Sequence, residues 1–168
     1  QEIAQEALKI SYDDALKRDL DVRKGEKKPD DSYVKELNGA LISIESATGK
    51  ILALSGGVDY NQSVFNRAFQ SKRQAGSAIK PFLYQVALNN GYNPASQLID
   101  ISRTYNYTVG GEQKKWQPKN YGGNFEGIVS LRDSLTQSRN LSTLNLVTDV
   151  GVPVVTNELK NYGFKDVQ

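Results

Sequence analysis

Two patterns in the 168-residue sequence predict an α+β fold. Several stretches carry apolar residues at the i, i+3, i+4 spacing of a helix face, and two short apolar runs flank a glycine turn as the strands of a hairpin do. Size and composition agree with this. At 38% hydrophobic residues the chain can bury one real core, and no repeat suggests a solenoid.

The elements follow in order. Residues Ile3 to Leu20 place Ala4, Leu8, Tyr12, Ala15 and Leu16 on one helical stripe with charges between. From Asp19 to Asp31, "DLDVRKGEKKPDD" is charged and contains Gly and Pro, so it is expected to be a solvated connector. The boundaries drawn are 1–32 for linker helix and connector, and 33–168 for the compact domain. Leu41 to Ile44 and Ile51 to Leu54 form the hairpin, turned by "ATGK" at 47–50. A Gly/Asn/Gln-rich loop through Tyr60 to Asn66 leads to "RQAGSAIKPFLY".

From Ser77 the spacing predicts a helix. Ile79, Phe82, Leu83, Val86 and Ala87 share one face, and Asn89, Asn90 and Gly91 end it. Pro81, Tyr84 and Leu88 make the other face apolar too, as in a buried helix. Ile99 to Val109 is expected to be extended up to a Gly110-Gly111 turn, with "WQPKNYGG" as an aromatic loop after it. Ser130 and Asp133 form a capping box for a helix to about Ser138, and Leu144, Val147 and Val150 continue the spacing to Gly151. Pro153 and Gly163 bracket a last short helix.

Composition narrows the chemistry. With 21 basic and 19 acidic residues the net charge is +2, which gives no reason to expect a nucleic-acid partner. No apolar run is long enough to span a membrane. The chain has neither Cys nor His. Thiol nucleophiles, Cys/His zinc sites and Ser-His-Asp triads are thereby excluded, and any acyl transfer must use Lys, Asp or Glu as its base.

Two S-x-x-K matches occur. Ser32 to Lys35 follows the charged connector with no apolar helix behind it and reads as a hydrated loop. Ser77 to Lys80 differs. On a helix, residues i and i+3 share a face, Gly76 permits close approach of a substrate, and Pro81 is cheap only in a first turn, so Ser77 belongs at the helix N-terminus. Burial of Lys80 would lower its pKa towards that of a working base. A helix cap followed by a snorkelling lysine accounts for the spacing equally well. Ser138-Arg139-Asn140 is the only S-x-N of the chain. Alone it is more often a turn. Beside Ser77 and Lys80 it adds a hydroxyl able to relay a proton and an amide able to orient a peptide bond.

These residues carry a resemblance. "GALISIESATGKILALSGGVDYNQSVFNRAFQSKRQAGSAIKPF", "WQPKNY" and "VSLRDSLTQSRNLSTLNL" resemble, in the same order, the transpeptidase domain of class A (bifunctional) penicillin-binding proteins, over roughly Asn38 to Phe164. "AQEALK" is similar to the linker helix after that family's glycosyltransferase domain. The resemblance implies the penicillin-binding transpeptidase or β-lactamase-like fold, an antiparallel sheet flanked by helices. It implies Ser77 as nucleophile, Lys80 as general base, Ser138 as proton relay, Asn140 and Trp116 as substrate contacts, and the Ser77 N–H as an oxyanion donor. No metal or cofactor is implied. The implied partners are peptidoglycan stem peptides ending in D-Ala-D-Ala and β-lactams as covalent inhibitors. A membrane anchor and a glycosyltransferase are expected upstream, on the extracytoplasmic side of a bacterial membrane.

Ala75 stands where the family usually has proline. No K-T-G follows before Gln168, and "ATGK" has its letters in the wrong order. The sequence is therefore expected to hold about half of such a domain, to leave the hairpin's apolar surface and a sheet edge uncovered, and to acylate poorly alone. Two other functions remain open: a D,D-carboxypeptidase or β-lactamase-like hydrolase, and a catalytically silent cell-wall scaffold.

Overall fold

The computed structural model describes residues 1–23 and 37–165. Most of the predicted connector, and with it Ser32 and Lys35, lies outside them. The chain forms two compact units, Gln1–Arg73 and Gln74–Gln168.

The first unit is a helix and a hairpin. Helix α1 (Glu2–Arg23) buries Ala4 and Leu8, the predicted stripe. Its backbone continues through Arg23, so the first five residues read as connector are helical. Strands β1 (Leu41–Ile44) and β2 (Ile51–Ser55) pair antiparallel, with Ile42 opposite Leu54 and Ser43 opposite Ala53. Ile42, Ile44, Ile51 and Leu52 are exposed, leaving one face of this hairpin apolar and open. Beyond β2 the chain folds back until the Arg67 N–H donates to the Gly56 carbonyl at 2.8 Å. A Cβ on Gly56 would sit 2.2 Å from Oδ1 and 3.0 Å from Cα of Asn66, so any side chain there would displace Asn66.

The second unit holds two antiparallel ribbons and a helical core. A 3-10 turn (Gly76–Ile79) runs into α2 (Lys80–Asn89), where Pro81 occupies a first-turn position that needs no N–H. The predicted helix thus starts three residues late. Its burial is one-sided, not all round: Lys80, Tyr84, Val86 and Ala87 are buried, while Pro81, Phe82 and Leu88 are exposed. Tyr84, read as lying on the far side, is in the core.

The stretch from Ile99 to Val109 splits in two. Strand β3 (Gln97–Asp100) pairs with β6 (Gly127–Ser130), and β4 (Tyr105–Val109) pairs with β5 (Glu112–Trp116) across Gly110-Gly111. Both β5 and β6 were missed. "EQKKW" has no apolar alternation, and "GIVS" carries only two apolar residues, directly before the capping box. Ser130 Oγ accepts the Asp133 N–H at 3.0 Å and starts α3 (Leu131–Thr136). A break at 137–139 precedes α4 (Asn140–Val150), and Gly151 turns the chain into α5 (Val152–Asn161).

Tyr84, Ala87, Leu98, Val129, Leu131 and Leu146 form one core cluster, and Val86, Val155 and Leu159 a second, with Leu83 and Val150 packed against both. A buried hydroxyl chain stitches the helices: Thr143 Oγ1 donates to the Arg139 carbonyl at 2.6 Å, Tyr84 OH bonds Thr143 Oγ1 at 2.9 Å, and Ser134 Oγ links Tyr84 OH to Ser142 Oγ. Each hydroxyl has one proton, so Thr143's bond to a carbonyl fixes the direction of the others. Removing the phenol leaves buried hydroxyls short of a partner. Tyr84→Phe is expected to cost about 1–3 kcal/mol, read as a lower urea midpoint at unchanged m-value; an unchanged midpoint would show that the chain carries no stability.

Candidate active site

Gly76, at φ +55°, takes a backbone conformation disfavoured for side-chain-bearing residues and turns the chain into the 3-10 turn. Ala75, where the resemblance puts proline, has φ −64°, the angle a proline ring would fix, so the departure leaves the turn's geometry unchanged. The Lys80 N–H donates to the Ser77 carbonyl, and residues three apart on such a turn eclipse each other. Ser77 is exposed at this end of the unit. Lys80, at 6% exposure, is buried.

Ser138 comes to the lysine from 58 residues along the chain. The break after α3 leaves it at φ +52°, the one positive φ among described non-glycine residues. That conformation costs about 1–2 kcal/mol. It also turns both Ser138 oxygens onto the amine: Nζ of Lys80 donates to the carbonyl at 2.6 Å and lies 3.1 Å from Oγ. Asn140 Oδ1 accepts the third bond at 2.8 Å. Asn140 cannot be flipped, because Nδ2 donates to the Lys119 carbonyl at 3.1 Å and an NH2 group would otherwise face the ammonium. One Nδ2 proton remains for another acceptor. Ser77 Oγ makes no hydrogen bond to Lys80 in this arrangement, since the ammonium's three N–H groups already have acceptors.

Beside these atoms lies a cleft of about 540 Å3, with Ile79, Leu83, Trp116, Leu144 and Val147 as apolar lining and Lys80 and Asn140 as polar lining. Trp116 is 49% exposed and packs on Tyr105, ring centroids 5.6 Å apart. Four of the five predicted site residues therefore meet around Lys80 and its cleft, and Ser77 joins through the turn. Among the described residues no acidic cluster could hold a metal ion.

Comparison with known proteins gives this constellation a family. The model of the penicillin-binding protein transpeptidase domain matches residues 39–166. The chain belongs to the penicillin-binding-protein transpeptidase family. It is 44% identical over 135 residues to penicillin-binding protein 1A of Escherichia coli (strain K12), covering 79% of this chain and 15% of that protein. It is 39% identical over 129 residues to penicillin-binding protein 1A of Neisseria flavescens, covering 77% and 16%. The crystal structure of penicillin-binding protein 1A from Haemophilus influenzae superposes with a TM-score of 0.69 at 41% identity, covering 76% of this chain and 19% of that one. The chain thus spans less than a fifth of the length of these relatives. Its helices and antiparallel ribbons belong to the penicillin-binding transpeptidase fold.

Next to Ser138 and Asn140 lies a buried group that sequence reasoning missed: Asp100, Asn120 and Arg139. Arg139 Nη1 meets Asp100 Oδ2 at 2.7 Å, and its Nη2 bonds Glu126. Asp100 is fully buried. Burial alone would raise its pKa, but hydrogen bonds from Asn120, the Glu126 N–H and Arg139, with the Arg139 charge, outweigh that and hold it low. The signals were available, since Asn120 stands in "WQPKNY" and Arg139 is the middle residue of S-x-N.

Burial disfavours the Lys80 ammonium and lowers its pKa from the ordinary value near 10.5. Above the folded-state pKa and up to 10.5, the unfolded chain then binds the extra proton, so stability rises with pH. The unfolding free energy of the parent, measured against Lys80→Met, is expected to improve as pH climbs through that window. A constant or falling difference would contradict it.

Proposed function

We propose that this chain is the nucleophile-bearing part of a peptidoglycan D,D-transpeptidase. Ser77 Oγ forms the bond to the carbonyl carbon of a D-Ala-D-Ala stem peptide. Its proton passes to neutral Lys80. The C–N bond then breaks, and the departing D-alanine amine takes a proton through Ser138. An amine from a second stem attacks the acyl-serine, giving the cross-link and restoring Ser77. The covalent intermediate divides one difficult step into two.

The observation that carries this reading is the surroundings of Nζ. Of the three oxygens on Lys80, the Ser138 carbonyl and Asn140 Oδ1 can only accept, whereas Ser138 Oγ can also donate. When Lys80 loses its proton, its lone pair is therefore served by a hydroxyl, from Ser138 or from the exposed Ser77. That is the proton route an acyl transfer without histidine requires. Asn140, with its spare Nδ2 proton, and Trp116, on the apolar cleft, are read as substrate contacts, and the Ser77 N–H as an oxyanion donor.

The family supports β-lactams as covalent inhibitors of Ser77. It also supports placing the whole protein, with a membrane anchor and a preceding glycosyltransferase, on the outer face of a bacterial membrane. Among the described residues no helix is long and apolar enough to cross one. The match over 39–166 supports assigning 33–168 to the transpeptidase domain and 1–32 to a linker.

Mass spectrometry of the full-length protein after benzylpenicillin should find one adduct on Ser77, none in Ser77→Ala, and acylation of Lys80→Met slowed about 10²–10⁴-fold. An adduct on Ser77→Ala at the parent's rate would exclude Ser77 as nucleophile. Rapid loss of the adduct would indicate a hydrolase instead.

A further inference from the structure

Asn140 and Ser138 work only if the first turn of α4 is held still, and its leading N–H groups have no local side-chain cap. Arg139, the N-cap residue, provides no side-chain cap. The cap comes from 20 residues away: Asn120 Oδ1 accepts the backbone N–H of Asn140 at 2.8 Å and of Leu141 at 3.1 Å. The other half of the Asn120 amide is equally committed. Nδ2 donates to Asp100 Oδ1 at 3.0 Å and Oδ2 at 3.2 Å, and to the Asn124 carbonyl at 2.9 Å.

All four hydrogen-bonding positions of this buried amide are therefore used, and only one orientation is possible. A flip would turn an NH2 group onto two N–H donors and a carbonyl onto a carboxylate. Asp100 enforces the orientation, and Arg139, from inside S-x-N, holds Asp100. The adjacent Lys119 carbonyl simultaneously fixes the Asn140 side chain. Residues 119 and 120 thus clamp Asn140 by backbone and side chain together.

We propose that Asn120, oriented by the buried Asp100–Arg139 ion pair, is a positioning residue for acyl transfer that sets where Ser138 and Asn140 meet Lys80. The inference rests on the acyl-transfer reading, and it predicts a rescue. In Asn120→Asp two carboxylates share a buried site, which neither tolerates charged. In the exchange variant Asp100→Asn/Asn120→Asp, residue 120 still accepts from the helix N-terminus, residue 100 donates back to it, and its carbonyl remains for Arg139 and the Glu126 N–H; the bond to the Asn124 carbonyl is lost. The net charge is unchanged.

The test uses the full-length protein with a fluorescent penicillin, rates being normalised to the folded fraction by circular dichroism. Acylation is expected to fall at least about tenfold in Asn120→Asp and to return to within about threefold of the parent in the exchange variant. Amide exchange at Asn140 and Leu141 should accelerate in Asn120→Asp and recover in the exchange variant. Parental rates in a folded Asn120→Asp would overturn the proposal. So would a folded exchange variant that is still tenfold slow although its Asn140 and Leu141 amides exchange at the parental rate, a reading that stands even if the single variant does not fold. If the parent itself fails to acylate, the transpeptidase reading fails, while the two amides still decide the positioning.

Discussion

Lys80 has three N–H groups and meets three oxygens, two from Ser138 and one from Asn140. A buried ammonium leaves little freedom to its neighbours, because every donor left unmatched is costly and every acceptor must come from somewhere. Here they come from the break between α3 and α4, which brings one residue into an unfavourable backbone conformation to supply two of them. The strain at Ser138 and the burial of Lys80 are thus one feature seen from two sides.

The same requirement reaches further back. Once the α3–α4 break must present Ser138 and Asn140 together, α4 has to begin abruptly, with N–H groups needing acceptors. Asn120 supplies one oxygen for two of them, and its remaining valences need a carboxylate, Asp100, at the end of β3. A fully buried carboxylate needs a cation in turn, and Arg139 stands between the two motif residues whose positions began the sequence of demands. The four-residue pairing of β3 with β6 joins the strand bearing Asp100 to the one leading through Ser130 into α3. The small ribbon is therefore part of the site's foundation.

Legibility in the sequence followed the range of the interactions. Hairpin and capping box depend on neighbours a few residues apart and could be read directly, and the motifs singled out Lys80, Ser138 and Asn140, which the structure brings together. What escaped depends on partners 13 to 39 residues away: Asn120 with Asp100 and with Asn140, Arg139 with Asp100 and Glu126. In a linear reading Asp100 is one acid of 19. Likewise Tyr84 counts as apolar bulk, although its hydroxyl bonds to two side chains in the core, and β5 shows no alternation because both its faces are exposed.

One asymmetry within the site follows from the same accounting. The three oxygens around Nζ match the three N–H groups of an ammonium, and Ser77 on its exposed turn is not bonded to it. Losing one proton frees one contact on Nζ. Of the three oxygens present, only Ser138 Oγ can reverse its role from acceptor to donor. The charged and neutral forms of Lys80 therefore share one heavy-atom arrangement and differ by a hydroxyl rotation, which needs no reorganisation of buried backbone. Burial lowers the free-energy cost of that change by destabilising the ammonium, and the Lys119 carbonyl keeps Asn140 Oδ1 turned towards the amine in both forms. In this way packing alone lowers the pKa of a lysine in a chain without histidine.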